Sequence, residues 1–246
     1  MDSGYYAACT ALMSRMQALD TVADNLANIS TNGYRGQHNV FQSVVAGLRQ
    51  VSSSQLNQAV NGYGVLGGTR LDLSQGTLQR TGGDYDMAVE GPGFFVVQTA
   101  NGQVFTRNGN FHVSNRNELV TAAGDPVVGQ NGPVTVLDGP MSVSADGTIS
   151  VNGAIAGKLS VVEFPVGTLL QSLGQTYYSA PIASAKPAQA SMVRQGMLEA
   201  SNVSAVSSVV ELISVQRAAE MMQRVLSLFN SDIDKVATQE LPRVNS

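Results

Sequence analysis

Side chains able to ligate a metal or act as nucleophiles are sparse in this chain: two histidines, His38 and His112, and one cysteine, Cys9, among 246 residues. Neither histidine has another His or Cys at ligand spacing, so no zinc site is expected. Cys9 has no base close in sequence to take its proton and reads as a small buried hydrophobe. Asp84 and Asp86 would share one face of a strand, as a carboxylate pair must, but acids in turns are commonplace. Together with Asp72 and Glu90 they lack the closely alternating acids and glycine of a calcium loop. Gly62-Tyr63-Gly64-Val65-Leu66-Gly67 has the spacing of a pyrophosphate cradle. That cradle needs a strand before it and a helix after it, whereas Thr69 to Leu73 reads as strand. The expectation is a chain with no catalytic residue, metal or cofactor. A small-ligand or nucleotide-binding β-domain is the alternative of another class.

What the chain does offer is pattern at its two ends. Leu212, Val215, Ala219, Met222, Leu226, Phe229, Ile233 and Val236 step by three, then four, which keeps them on one seam of a helix. Tyr5, Cys9, Leu12, Met16, Leu19, Ala23 and Leu26 follow the same rhythm near the start. Two matching seams that bracket a non-helical middle predict terminal helices that pair as a coiled coil. An isolated helix pair is marginal in water, so other chains are expected to complete it.

Asn32-Gly33 should end the first helix, because glycine reaches positive φ without strain. From Tyr34 to Gly68 periodicity fades, with Phe41, Val44, Val45 and Leu48 as a short amphipathic piece, and this stretch reads as an extended or partly helical connector. Beyond it short apolar runs alternate with turn dipeptides. Met87-Ala88-Val89, Phe94 to Val97, Phe111-His112-Val113, Leu119-Val120, Val134-Thr135-Val136, Thr148 to Val151 and Leu159 to Val162 read as strands. Asn101-Gly102, Asn108-Gly109, Asn131-Gly132, Asp138-Gly139, Asp146-Gly147 and Asn152-Gly153 read as their turns. The expected class is α+β: terminal helices over residues 1–33 and 200–241, a connector over 34–68, an antiparallel all-β domain over 69–191, and a return linker over 192–199.

Charged residues are only 13% of the chain and the net charge is -4, which excludes the strongly basic balance of a nucleic-acid binder and gives no pull toward an anionic membrane. No apolar run is long enough to span a bilayer, and Met1 to Tyr6 lacks the basic start of a signal peptide. One cysteine allows no internal disulfide.

Several strings together resemble the axial proteins of the bacterial flagellum, the rod and hook family. Asn25 to Arg35, reading NLANISTNGYR, resembles that family's N-terminal signature. Asp86 to Val97 and Phe105 to Phe111, followed by Leu119-Val120-Thr121 and Gly124, are similar to its β-domain motifs. Gln195 to Val203 and Gln216-Arg217-Ala218-Ala219-Glu220 match before and inside the last helix, with Ala219 standing where family members often carry an aromatic. The run Pro126 to Val136 resembles the proximal-rod members more than the distal-rod or hook members, which are the alternative within the family.

The resemblance implies a structural axial subunit, not an enzyme, whose paired helices form the inner layer of a tube and whose β-domain forms the outer layer. It implies head-to-tail polymerisation, torque passed from motor to hook, and other rod subunits as partners. It further implies passage through the flagellar type III export apparatus without a cleaved signal peptide, to a periplasm-spanning rod. The residues it marks for assembly are Leu12, Met16, Leu19, Leu26, Asn32, Gly33, Tyr34, Arg35, Leu212, Val215, Ala219, Met222, Leu226, Phe229 and Ile233.

Overall fold

A computed structural model of the chain describes residues 2–42, 65–137, 139–174 and 176–239. Within them two long helices, α1 (Asp2–Ala27) and α2 (Ala205–Gln239), flank a series of short antiparallel strands, an α+β architecture. The chain divides into two compact units. One holds residues 1–26, 37–70 and 205–246; the other holds 27–36 and 71–204.

In the helical unit, strand Gln37–Gln42 pairs with Val65–Leu71. The connector is therefore a strand at its start, and the apolar positions Val44, Val45 and Leu48 lie outside the described residues. Of the glycine-rich stretch, Val65 to Gly67 belongs to a strand while Gly62 to Gly64 lies outside the described residues. Polar side chains of α1 bind the strand Gln37–Gln42. Asn25 pairs with the Gln37 backbone in both directions, at 2.7 and 2.8 Å. The Thr21 hydroxyl donates to Asn39 Oδ1 at 3.1 Å.

The residues that make this contact, Thr21 and Asn25, lie on the buried face of α1, and that face is not the apolar seam. Ala8, Ala11, Ser14, Ala18, Thr21, Val22 and Asn25 are buried, whereas Cys9, Leu12, Leu19 and Leu26 are half-buried and Met16 and Ala23 are exposed. A face of small and hydrogen-bonding residues lets a backbone approach that leucine and methionine would hold off. On α2 the buried side is the expected one: Val215, Ala219 and Met222 are buried, and Leu212 and Leu226 half-buried.

The strand-rich unit is built on a six-stranded sheet whose centre is the hairpin Phe94–Thr99 and Gly102–Thr106. Phe94, Phe95, Val96 and Val97 are all buried, because the strand is covered on both faces. Phe95 joins the larger core with Met87, Phe111, Leu119, Ile149 and Leu159, while Phe94 and Val96 pack with Phe105 and Tyr178. A three-stranded sheet, Met141–Val143, Thr148–Val151 and Ala154–Lys158, turns through Asn152-Gly153 with φ of 54° and 81°, the mirror-image turn those residues favour.

Three expectations change here. Val134 to Val136 forms only an isolated bridge, between Glu118 and Thr135. Asn108-Gly109 is not a hairpin turn: Gly109 lies against the Met87 carbonyl so closely that a Cβ has no room. The expected linker 192–199 is strand, with Met192–Gln195 pairing Met87–Glu90 and Met197–Glu199 pairing Leu78–Arg80. Lys186–Pro187 forms one edge of the six-stranded sheet.

Candidate functional site

The strand-rich unit buries three charged side chains side by side. Arg35, Arg107 and Glu199 are each no more than 1% exposed. In a chain with so few charges, burying these is a large desolvation cost, and only a tight arrangement offsets it.

Local backbone sets that arrangement. Gly33 adopts φ of 72°, and its N–H donates to the Glu199 carbonyl at 2.7 Å. A Cβ at this position would collide with the Asn108 backbone, so glycine is required for the close approach as well as for the turn. Tyr34 is buried next to it. The Arg35 N–H donates to the Tyr178 hydroxyl at 2.9 Å, and that hydroxyl donates to the Gly33 carbonyl at 3.4 Å. Burial pushes the Tyr178 phenol well above its ordinary range, so it stays protonated and keeps its hydrogen bond to Gly33.

The Glu199 carboxylate takes the Arg35 guanidinium at 2.6 Å, Arg107 Nη1 at 3.3 Å and the Gly76 N–H at 2.8 Å. Arg107 also donates to the carbonyls of Val89 and Gly91 and lies over the Phe94 ring at 4.8 Å. Burial lowers the Arg107 pKa to about 10, although Glu199 opposes the shift. Arg35 reaches the Ser74 carbonyl. Just beyond, Asn202 accepts from the Gly36 N–H at 2.8 Å and donates to the Asp72 carbonyl at 2.9 Å. Residues 33–36, 72–76, 89–91, 107 and 199–202 are thus bound into one clasp with two cations on one anion.

Among the assembly residues marked in the sequence, Gly33, Tyr34 and Arg35 meet in this clasp, and Asn32 lies half-buried beside them. Leu12, Leu19 and Leu26 are half-buried on α1 and Met16 is exposed; Leu212, Val215, Ala219, Met222 and Leu226 share one side of α2. The side chains of Phe229 and Ile233 lie outside the described residues. Arg107, Glu199 and Tyr178 were not marked. Their signal is charge adjoining apolar runs, Arg107 after Val104-Phe105-Thr106 and Glu199 after Met197-Leu198. An open groove of about 690 Å³ also lies in this unit, where Asp146 and Lys158 pair with each other at 2.9 Å.

Three family models match the chain, and each supplies one member of the charged cluster. "Flagella basal body rod protein" matches residues 6–35, ending on Arg35. "Flagellar hook protein FlgE/F/G D1 domain" matches 88–151, with Arg107, and "Flagellar basal body rod FlgEFG protein C-terminal" matches 194–239, with Glu199. These define a class, the axial proteins of flagellar rod and hook. The flagellar basal-body rod protein FlgF of Caulobacter vibrioides is 31% identical over the whole of both chains. That of Mesorhizobium japonicum is 33% identical over 89% of this chain and 90% of its own, and FlgG of Buchnera aphidicola subsp. Schizaphis graminum is 29% identical over 93% and 96%. The chain belongs to the flagellar basal-body rod protein family, as a structural subunit resembling FlgF.

Proposed function

We propose that the chain is a proximal-rod subunit that polymerises head-to-tail through its terminal helices, with torque passing along the packed helices. In this reading α1 and α2 complete a coiled coil with neighbouring copies and other rod subunits, and the chain reaches the periplasm-spanning rod unfolded through the flagellar type III export apparatus, without a cleaved signal peptide. The observation that carries it is an asymmetry of completion. The strand-rich unit encloses an apolar core and the charged clasp, and the large apolar side chains it leaves exposed, such as Leu137, Val166, Leu169 and Leu173, sit mostly in its loops; α1 keeps Met13 and Met16 exposed, and α2 keeps Val206, Val210 and Ile213 exposed, at helical spacing. Large apolar side chains left in water on a long helix mark a surface awaiting a partner. The clasp then serves as a rigid joint that holds the chain segments next to the two helices, residues 33–36 and 199–202, to the sheet.

The test is Leu226→Asp in a strain relying on this chain. Incorporation into basal bodies and swimming should be lost while the strand-rich unit stays folded; normal swimming at normal expression would sink the reading. Limited proteolysis of the free chain should remove the helical ends first and leave a fragment near residues 71–204.

A further inference from the structure

Three of the four places where the chain passes between its two units meet at one side chain. The strand-rich unit is left after Gly36, re-entered at Leu71 and left again after Ser204. Asn202 stands just before the last exit, and its half-buried amide reaches the other two. Its Oδ1 accepts from the Gly36 N–H at 2.8 Å, while Nδ2 donates to the Asp72 carbonyl at 2.9 Å and to the Ser74 carbonyl and hydroxyl at 3.0 and 3.2 Å. Backbone bonds close the knot. The Asp72 N–H donates to the Gly36 carbonyl at 2.8 Å, and the Asn202 N–H to the Tyr34 carbonyl at 3.4 Å. Arg35 donates to the same Ser74 carbonyl, so the knot adjoins the buried charges. Two donor hydrogens beside an acceptor on so short a stem are particular to asparagine: an ionised aspartate has no donor, and glutamine is a methylene longer.

These exits lead straight into the helical unit. Gln37 opens the strand Gln37–Gln42, Leu71 ends its partner Val65–Leu71, and Ala205 begins α2. The strand Gln37–Gln42 in turn holds α1 through Asn25 and Thr21. We propose that Asn202 is a positioning residue: by tying residues 36, 72 and 202 together it brings the start of one strand, the end of its partner and the root of α2 to a single place, and so templates the helical unit on the strand-rich one. Residues 37–70 then leave and return at tied points, which lowers the entropy lost when that stretch folds. Glu199 carries the stability of the strand-rich unit, and Asn202 sets where the chain leaves it. This rests on the rod-subunit reading, in which load passes through the helices, and names the residue that roots them.

The experiment is amide hydrogen exchange in the full-length chain, with urea unfolding of the strand-rich unit and recovery in purified basal bodies measured alongside. Asn202→Leu keeps the volume and removes every polar arm, so the amides of Gly36, Asp72 and Gln37–Gln42 should exchange roughly tenfold faster or more. Its urea midpoint should fall by less than half as far as that of Glu199→Gln, while its recovery in basal bodies drops. Asn202→Asp is isosteric and keeps only the acceptor: the Gly36 amide should stay protected while the Asp72 amide exchanges faster. A residue that merely fills space would let both variants pass as the unaltered chain. Unchanged exchange in Asn202→Leu, an Asn202→Asp that matches the unaltered chain, a midpoint that falls as far as that of Glu199→Gln, or undiminished incorporation of Asn202→Leu would each overturn the positioning role. Absence of the unaltered chain from basal bodies would sink the rod reading instead, and the exchange rates would still decide whether the knot templates the helical unit.

Discussion

The two units of this chain solve the problem of burial in opposite ways. The strand-rich unit closes around its apolar cores and leaves exposed apolar side chains mostly in loops, among them Leu137, Val166, Leu169 and Leu173. Its central strand is covered on both faces, Gly33, Gly76 and Gly109 sit where backbones touch, and it affords three buried charges because each finds a partner. The helical unit is open, since α1 buries alanines and hydrogen-bonding residues while methionines and valines on the two helices stay in water. The contrast teaches that residual exposure in a long amphipathic helix is informative only beside a region of the same chain that shows what completion looks like.

The sharpest way to break this comparison is to open the closed unit. Glu199→Gln leaves Arg35 and Arg107 buried without a countercharge and should cost about 3–5 kcal/mol in urea unfolding. A loss below about 1 kcal/mol would mean the cluster is not holding the unit. Next comes Gly33→Ala, which places a side chain at positive φ against the Asn108 backbone and should cost about 1–3 kcal/mol. Tyr178→Phe removes the acceptor of the buried Arg35 N–H, and a cost of about 1–3 kcal/mol is expected by the same measurement, toward the lower end if the Gly33 segment relaxes.

The smallest effect is electrostatic and peripheral. Hydrogen bonds from Lys158 and Thr148 lower the exposed Asp146 carboxyl from 3.8 to about 2. A depressed carboxyl contributes stability above its unfolded value and loses it as pH falls through the folded one, here between about 3.8 and 2. In NMR titrations Lys158→Ala should move the Asp146 midpoint up toward 3.8, with only a slight change in global unfolding. Substitutions at the exposed apolar positions of α1 and α2, by contrast, should leave urea unfolding of the strand-rich unit unmoved.

Much of the architecture was legible because it is local. Period-three-four spacing located both helices, the continuous run Phe94 to Val97 announced a strand, and Asn152-Gly153 announced the hairpin turn between Thr148–Val151 and Ala154–Lys158. Where the reading erred, the deciding partner was distant. Residues 192–199 read as a linker because they are short and mixed in character, yet their partners are strands more than a hundred residues earlier. Asn108-Gly109 looked like a turn because spacing cannot distinguish a glycine chosen for φ from one chosen for closeness to Met87.

The sequence by itself determined the two amphipathic helices, most of the strands and the family signature, since backbone preference and periodicity act over a few residues. Only the tertiary structure decided that Arg35, Arg107 and Glu199 meet, because a charge balance is a property of a place and these three arrive from segments 72 and 92 positions apart. It also decided which side of α1 is buried. Hydrophobicity alone ranks Leu12 and Met16 above Ala18 and Asn25, but the buried face is the small and polar one, on which Asn25 exchanges hydrogen bonds with the Gln37 backbone, and Met16 stays exposed.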